Sequence, residues 1–424
     1  MMSFIFKGLW RDKSRSRLPI IVVSLGVMLT VLMHAYINGF MGDAIEINAR
    51  FNHGHMKVMT AAYAENAHQM PIDLALTGSD EIMSFLEREY PGLTWSERIT
   101  FGGLVDIPDA QGETQSQGPV MGMGMRLLGE RKDEVVKHGL ASSIARGAMP
   151  QRAGEVLISD AFALRLGLEP GDTMTLLGST MYGSMSFHNF ILSGTLVFGV
   201  EALDRGSMIA DLEDVRAALD MENASSEILG FFHTGFYDDD QARKLSAGFV
   251  PPPGSGDGEF SPVMHALSQQ GHMGQYVNMS KVWSGYVSLI FIMAMSLVLW
   301  NAGLLGGLRR YGEVGVRLAI GETKLHVYKT MIYESILIGL AGSVMGTILG
   351  LFFAWLIQTY GIDISGMMQG ASLMMPGEIR ARITPVDFYL GFIPGVLSTV
   401  LGTLLSGIGI FKRQTSSLFK ELEA

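Results

Sequence analysis

The stretch Val282-Trp-Ser-Gly-Tyr-Val-Ser-Leu-Ile-Phe-Ile-Met-Ala-Met-Ser-Leu-Val-Leu-Trp-Asn-Ala-Gly-Leu-Leu-Gly-Gly-Leu308 contains no charged side chain. Its 27 residues lie between Lys281 and Arg309. As a helix it would extend about 40 Å at ~1.5 Å per residue, which exceeds the ~30 Å hydrocarbon core of a bilayer. Lipid offers no partners to backbone polar groups, so such a segment must satisfy them itself. The stretch therefore predicts a transmembrane helix.

Three further windows lack charged residues, at 18–42, 335–362 and 388–411. They predict four spans in all, at 18–42, 282–308, 330–360 and 386–411. Pro394 lies inside the last window and predicts a kink there, because proline removes a helix hydrogen bond.

The basic residues predict an orientation for these spans, because Lys and Arg concentrate on the cytoplasmic side. They are frequent in segments 1–17, 309–329 and 412–424, whereas segment 43–280 holds 15 Lys and Arg against 32 Asp and Glu. We therefore expect both termini in the cytoplasm, segment 43–280 outside the membrane on the opposite face, and a short external loop at 361–385.

Segment 43–280 is too long for a loop and mixes strand and helix patterns. Runs 156–159 and 194–199 are typical of strands, whereas 80–90 and 211–219 have helical spacing. Residues 154–167 predict a strand that leads into a helix, and 251–258 predict an exposed turn-rich segment. The predicted fold class is an α-helical membrane protein with four transmembrane helices and an α+β extracytoplasmic domain inserted between helices 1 and 2.

Composition excludes several functions. The net charge of −10 argues against nucleic-acid binding, and the absence of cysteine excludes disulfides, thiolate metal sites and a cysteine nucleophile. Residues 124–129 have the glycine spacing of a phosphate-binding loop, but Glu130 and Arg131 stand where Lys and Ser or Thr are needed. No cofactor is expected in this chain, and no catalytic set emerges within the spans.

Four histidine or acidic positions leave alternatives open. His53 and His55 could share one metal, but no third ligand lies near in the sequence, so an ordinary surface strand is the favoured interpretation. His34 and Glu334 fall in or near spans, where an ionisable group is a functional candidate. Each could instead extend to the membrane surface or cap a neighbouring helix.

Methionines cluster at two places, Met121, Met123 and Met125, and Met367, Met368, Met374 and Met375. Flexible thioethers suit apolar ligands, although packing or lipid contact is the favoured explanation. The N-terminal segment interleaves apolar and basic residues, so Phe4, Phe6 and Trp10 are candidate membrane-surface residues on an amphipathic helix. A frayed beginning of the first span explains the same pattern.

The basic connector 308–329 between spans two and three is short and helix-like, so pressure on it would tilt both spans together. Its stretch Glu313-Val-Gly-Val-Arg-Leu-Ala-Ile-Gly321 resembles the E-x-G-x-x-R-A-x-G signature of the FtsX-like permease family, with Leu318 adding one position before the alanine. Segments 333–350, 9–17 and 154–172 are similar, in that order, to the family's third span, its N-terminal L-x-R-N-K-x-R motif, and the external domain of lipoprotein-releasing and macrolide-exporter permeases. The C-terminal tail departs from the family pattern.

The resemblance implies the permease subunit of an ABC transporter in a bacterial inner membrane. In the family two copies of a separate ATPase bind ATP and magnesium, and a second permease chain, identical or homologous, completes a dimer. The connector helix with Glu313, Gly315, Arg317 and Gly321 would dock on the ATPase and move the external domain. Gly339, Gly342, Gly346 and Gly350 would permit close helix packing in the dimer core.

We expect extraction or export of lipoproteins or lipids from the outer leaflet, because a large external domain with an apolar, methionine-bearing surface suits an amphiphilic cargo. Efflux of hydrophobic small molecules or peptides is one alternative. An ATP-driven signalling permease that regulates a partner such as a cell-wall hydrolase is another. The expected partners are ATPase subunits, the second permease chain, membrane lipid and, as a further candidate, a periplasmic cargo carrier.

Overall fold

The computed structural model describes residues 13–109, 111–129, 139–255, 258–308, 311–363 and 378–412. The chain divides into a helical unit within residues 1–41, 280–362 and 379–424, and a second unit within 42–279 and 363–378. The helices are α1 Lys13–Asn48, α2 Ala61–Asn66, α3 Ser79–Glu89, α4 Asp160–Leu166, α5 Glu201–Asp204, α6 Leu212–Leu219, α7 Asp239–Ala247, α8 Met273–Leu308, α9 Tyr311–Ala319, α10 Lys324–Tyr360, α11 Asp387–Leu390 and α12 Thr399–Lys412.

Four helical stretches of the described chain are long and apolar enough to cross a membrane: Arg17–His53, Met273–Gly307, Lys324–Tyr360 and Asp387–Ile408. Each contains one of the predicted charge-free windows or most of it. The first three extend beyond their windows, because a polar residue at the end of a span does not stop helical hydrogen bonding. Two predicted groups lie outside the described residues. They are the N-terminal residues Phe4, Phe6 and Trp10, and the internal methionines Met367, Met368, Met374 and Met375.

The fourth stretch is not a uniform helix. A π-helical segment, Ile393–Ser398, lies between α11 and α12 and contains Pro394 near its beginning. Proline lacks the amide hydrogen that a regular helix would use, so the irregularity lies where the sequence predicts a kink.

The second unit is a mixed α/β domain. Its strands are β1 Met56–Thr60, β2 Leu76–Thr77, β3 Leu93–Pro108, β4 Thr114–Met125, β5 Ile144–Gly147, β6 Glu155–Ser159, β7 Thr173–Ser179, β8 Met185–Leu196, β9 Ser207–Asp211, β10 Ala224–Ser225, β11 Glu227–Phe232 and β12 Pro262–Ala266. Two further short strands are β13 Ile362–Asp363 and β14 Glu378–Ile379.

Six of these strands form a closed ring. The order β3-β4-β9-β6-β8-β7 returns to β3, because β7 pairs with both β8 and β3. Closure leaves no free edge along this path and thereby protects the strands from pairing with other chains. The first half of β3 also pairs with β11, which extends the sheet through β1 to β12.

Alternate side chains of β3 and of its neighbouring strands point to one face of the sheet and form the main core. Side chains such as Phe101, Val105 and Phe190 are buried together with Phe162 of α4. A second core forms where α3 packs beside β1 and β11, with Ile82 and Leu86 fully buried.

Local sequence explains the helix boundaries in this unit. Ser159 accepts a hydrogen bond from the amide of Phe162 and Asp211 accepts one from Glu213, so both cap a helix N-terminus. Gly167 ends α4 at φ 74°, a left-handed conformation that glycine adopts readily. The predicted strand at 194–199 ends early, because β8 stops at Leu196.

Candidate functional site

The connector helix α9 ends in a tightly defined turn. The amide of Gly321 donates to the carbonyl of Leu318 at 3.1 Å, and the amide of Glu322 donates to the carbonyl of Arg317 at 3.1 Å. This pair of bonds is a Schellman motif, which requires a left-handed residue after the helix. Gly321 supplies it at φ 101°. The glycine at the end of the family signature therefore shapes the chain between α9 and α10.

Arg317 stabilises the same turn through its side chain. Its guanidinium contacts Glu322 Oε2 at 2.8 Å and donates to Thr330 Oγ1 at 3.2 Å, so it links α9 to the first turns of α10. Gly315 is buried and Glu313 is half-buried on the same helix. Of the four predicted coupling residues, Arg317 and Gly321 thus act within the chain to fix the helix.

Apolar residues on the two faces of α9 have different surroundings. Val314 is buried against Val327 and Met331 of α10. On the other side, Val316 is 40% exposed and Ile320 is 80% exposed, and Leu325 beyond the turn is 54% exposed. We call Val316, Ile320 and Leu325 the connector apolar patch. Sequence reasoning did not single out these residues. Val316 and Ile320 are four residues apart, a spacing that places both on one face of a helix and could have indicated an apolar surface.

The four predicted packing glycines lie against helices of the same chain. A Cβ atom at Gly342 would come within 2.6 Å of Val23, one at Gly346 within 2.5 Å of the Ser24 carbonyl, and one at Gly350 within 2.8 Å of Val31. Gly339 instead faces the fourth span, with Thr399 Oγ1 at 2.9 Å. The sequence-based expectation was a dimer core, whereas these contacts bring α10 against α1 and the fourth span within one chain.

The two ionisable candidates in the spans have different surroundings. The side chain of His34 is 14% exposed, and its Nδ1 lies 2.7 Å from Asp387 Oδ1 at the beginning of the fourth span. Asp387 was not singled out from the sequence, because it stands at the very edge of a charge-free window. Glu334 lies half-buried within α10.

The prediction of a surface strand for the His53-Gly-His pair is wrong. His55 is fully buried, and its Nδ1 accepts a hydrogen bond from the amide of Phe232 at 3.0 Å. Its Nε2 therefore carries the proton and donates to Glu46 Oε2 at 2.8 Å. His53 ends a short π-helical segment that follows α1, and β1 begins only at Met56.

A buried ionic cluster lies in the sheet unit. Glu97 is fully buried on β3 and accepts hydrogen bonds from Arg216 at 2.6 Å and from Arg126. Arg216 also donates to Ser79 Oγ at 2.9 Å and to the Ala224 carbonyl at 3.1 Å. Burial alone would raise the pKa of Glu97, but the Ser79 hydroxyl and the two guanidinium groups outweigh it and hold that pKa below its usual value. The cluster joins β3, β4, α3 and α6.

The first methionine group divides between surface and core. Met121 is 51% exposed, Met123 is half-buried and Met125 is fully buried. Packing in the core therefore accounts for Met125, whereas a role of the exposed Met121 in contact with apolar ligands stays a prediction.

The chain is similar in sequence to a known protein family and to known proteins. Residues 285–415 match the FtsX-like permease C-terminal family. The lipoprotein-releasing system transmembrane protein LolC of Haemophilus influenzae is 22% identical over 93% of this chain and 92% of its own length. LolC of Xylella fastidiosa is 22% identical over 55% of this chain and 59% of its own.

Among solved structures, the periplasmic region of MacB from Actinobacillus actinomycetemcomitans aligns with 45% of this chain and 80% of its own, at 10% identity and a TM-score of 0.30. The family match covers α10 and the connector helix with its glycine-ended turn, and the match to the Haemophilus protein runs nearly end to end. Residues 285–415 are therefore an FtsX-like permease C-terminal domain, and the chain as a whole is similar to a lipoprotein-releasing system transmembrane protein.

Proposed function

We propose that this permease extracts lipoproteins or lipids from the outer leaflet of the inner membrane, with energy from a separate ATPase. The observation that carries this proposal is an exposed apolar surface on the outside of the closed six-stranded sheet. The length-spanning similarity to a lipoprotein-releasing system protein favours an amphiphilic cargo over the efflux and signalling alternatives.

The apolar surface follows from strand register. Leu104 on β3 pairs with Pro119 on β4 and with Leu177 on β7, and Leu177 pairs with Phe187 on β8. Directly paired residues place their side chains on the same face of a sheet. Four strands therefore contribute one continuous apolar row, and Phe187 at its end is 66% exposed.

A second row lies beside the first. Met121 on β4 is 51% exposed and Met185 on β8 is 75% exposed. We call Leu104, Leu177, Phe187, Met121 and Met185 the sheet apolar face. A third row, with Asp106, Thr175 and Asn189 in register, is polar and borders it.

Such a surface is costly to leave in water unless it meets a partner. The domain around it is acidic, with a net charge of −17 over residues 43–280, so an anionic polymer is a poor partner. Acyl chains, or an apolar carrier for them, would cover the face without charge pairing, and methionine side chains adapt to chains of varied shape.

The proposed orientation has both termini in the cytoplasm and the sheet domain in the periplasm, as the Lys and Arg distribution predicts. The connector apolar patch would then face the cytoplasm, where the ATPase subunits work. Two ATPase copies that hold ATP and magnesium, and a second permease chain, complete the proposed complex.

The test is cargo release from proteoliposomes that contain the permease, its ATPase and a lipid-anchored protein. Phe187→Asp and Leu177→Asp should lower ATP-dependent release while the complex still assembles. An acyl chain that covers the apolar face would have to remove the new carboxylate from water, which is unfavourable. Leu164→Asp is the matched control, since Leu164 is 65% exposed but lies on α4 outside the face. It should release cargo at the wild-type rate.

Two outcomes would redirect the proposal. Unchanged lipoprotein release in the face variants, together with a lost export of a hydrophobic small molecule, would favour efflux. Activation of an external hydrolase by ATP, without release of any lipid-anchored cargo, would favour the signalling alternative.

A further inference from the structure

A chain of hydrogen-bonded polar side chains connects three of the long helices in the helical unit. Asp387 Oδ1 lies 2.7 Å from His34 Nδ1 of α1, so Nδ1 donates to this carboxylate, and the Asn38 amide nitrogen donates to Nε2 of the same ring at 3.3 Å. Ser284 of α8 donates to Asn38 Oδ1 at 2.6 Å. The chain thus connects the beginning of the fourth span to α1 and then to α8.

The two oxygens of Asp387 have separate tasks. Oδ2 accepts from the amide of Thr384 at 2.6 Å and from its hydroxyl at 2.8 Å, which caps the beginning of the fourth span. Oδ1 faces His34. The Thr384-Pro-Val-Asp387 sequence explains the cap, but not why a fully buried carboxylate should also engage a second helix.

The fourth span packs on α10 along its whole length, and each end also packs on a different second helix. Before and within the π-helical segment, Gly391 and Gly395 lie against Val27 of α1, at 2.4 and 2.8 Å from a Cβ placed on each glycine. After it, a Cβ at Gly402 would lie 2.5 Å from the Trp300 carbonyl of α8. We call residues 387–392 the first arm and residues 399–408 the second arm.

The π-helical segment separates these arms. An irregular hydrogen-bond pattern with an internal proline is a place where a helix can bend at low cost. Any bend there changes how the first arm lies on α1 without repacking the second arm on α8.

We propose that His34 and Asp387 form a polar latch that fastens the first arm to α1, and that Ile393–Ser398 is the hinge on which the arm swings when the latch opens. Glycine contacts alone would let the arm slide, because van der Waals packing between small residues has little directional preference. The hydrogen bond to a fully buried carboxylate is directional and strong in a low-dielectric interior.

Opening is feasible because Asp387 keeps both donors from Thr384 when His34 leaves. The carboxylate is therefore never stripped of all hydrogen bonds, and the closed and open arrangements are both accessible. This inference concerns the helical unit alone and does not depend on the cargo or on the ATPase.

The test uses spin labels on the full-length chain in lipid nanodiscs, where the absence of native cysteine makes each label unique. Leu29→Cys with Phe388→Cys reports the first arm, and Val298→Cys with Leu401→Cys reports the second arm. All four native side chains are at least 41% exposed. Dilution with unlabelled chain removes distances between subunits.

His34→Leu should broaden and shift the first-arm distance distribution and leave the second-arm distribution unchanged. His34→Gln, which can still donate to Asp387, should remain like wild type. Thr30→Val is the matched control, since Thr30 is buried on α1 but its hydroxyl donates only along its own helix, to the Gly26 carbonyl at 2.9 Å.

The double variant His34→Leu with Asp387→Asn should change the melting temperature and the first-arm distance distribution in different ways. The melting temperature should recover relative to His34→Leu, because no buried carboxylate is left facing an apolar side chain, whereas the first-arm distribution should stay broad. If His34→Leu does not express, His34→Ala, which also lacks the ring donor, tests the same contact.

The proposal fails if the first-arm distribution in His34→Leu, or in His34→Ala where that variant replaces it, equals that of Thr30→Val. It also fails if both arms change alike, because that pattern would indicate general loosening and not a latch.

Discussion

Arg317 and Glu322 form an ion pair of 2.8 Å across the turn between α9 and α10. The backbone amide of Glu322 donates to the carbonyl of Arg317 in the same turn, at 3.1 Å. Two residues of one turn are thus joined through both side chain and backbone. The connector helix is consequently held at a fixed angle to α10, which is the property that a force-transmitting element needs.

Gly321→Ala should uncouple the ATPase from the permease. A residue with a Cβ atom at φ 101° is strained by roughly 1–2 kcal/mol, so the turn should rearrange and α9 should lose its fixed direction. The measurement is ATPase activity of the purified complex and its stimulation by cargo. Stimulation should fall several-fold while assembly is retained.

Gly306→Ala is the control for that substitution, because a Cβ atom there meets no atom within 4 Å. It should leave stimulation intact. If Gly321→Ala and Gly306→Ala lowered the stimulation equally, the strained conformation of the turn would not be the cause of the loss.

Ile320→Lys should weaken association with the ATPase. Ile320 is 80% exposed at the tip of the connector apolar patch, and a central apolar contact in an interface contributes more than ~1 kcal/mol. Co-purification and binding affinity with the ATPase are the measurements, and affinity should fall at least about fivefold. Leu164→Lys, at an apolar position of the sheet unit that is 65% exposed, should bind normally. Wild-type affinity in Ile320→Lys would exclude the patch from the docking surface.

Alanine substitutions at three helix glycines should rank by the contact each Cβ would make. Gly342→Ala meets the Cβ branch of Val23 at 2.6 Å and should cost about 1–3 kcal/mol of stability. Gly26→Ala meets only the flexible ends of Leu299 and Met295 at 3.0 Å or more, so its cost should be small. Gly306→Ala should be neutral or stabilising.

Thermal unfolding of the full chain in one detergent gives this ranking. A Gly342→Ala variant as stable as wild type would show that α10 and α1 can separate at that point without loss. The contact would then not set the packing of the helical unit.

The four long apolar helices could be predicted from the sequence, because a long charge-free segment can satisfy its backbone hydrogen bonds in lipid only as a helix. The strand β6 and the helix α4 that follows it are also predicted, since a capping serine and a terminal glycine flank the helix. Local signals of this kind do not depend on distant residues.

Long-range pairings escape the same reasoning. Closure of the sheet depends on β7 pairing with β3, some seventy residues earlier in the chain, and no local pattern encodes that partner. His34 and Asp387 are 353 residues apart. Single-residue candidates such as His34 can be singled out, but their partners come only from the fold.

Glu97→Gln should destabilise the sheet unit and flatten its response to acid. The variant leaves Arg216, which is 8% exposed, beside a neutral amide and with the exposed Glu213 carboxylate, at 2.8 Å, as its remaining acidic partner, so at most about 3–5 kcal/mol should be lost near neutral pH. Because the folded pKa of Glu97 lies below its unfolded value, its stabilisation is complete above the unfolded pKa of about 4.3. It is lost as the pH falls through the folded pKa.

Thermal unfolding of the full chain between pH 7 and pH 3 measures both effects. The wild type should lose stability more steeply than Glu97→Gln below about pH 4.3, because only the wild type must protonate this carboxylate. Glu201→Gln is the control, since Glu201 pairs with Arg205 at the surface and is 81% exposed, so it should match the wild type throughout. Parallel pH curves for Glu97→Gln and the wild type would mean that Glu97 contributes no linkage, and that the buried cluster is held by the other bonds of Arg216, to Ser79, the Ala224 carbonyl and Glu213.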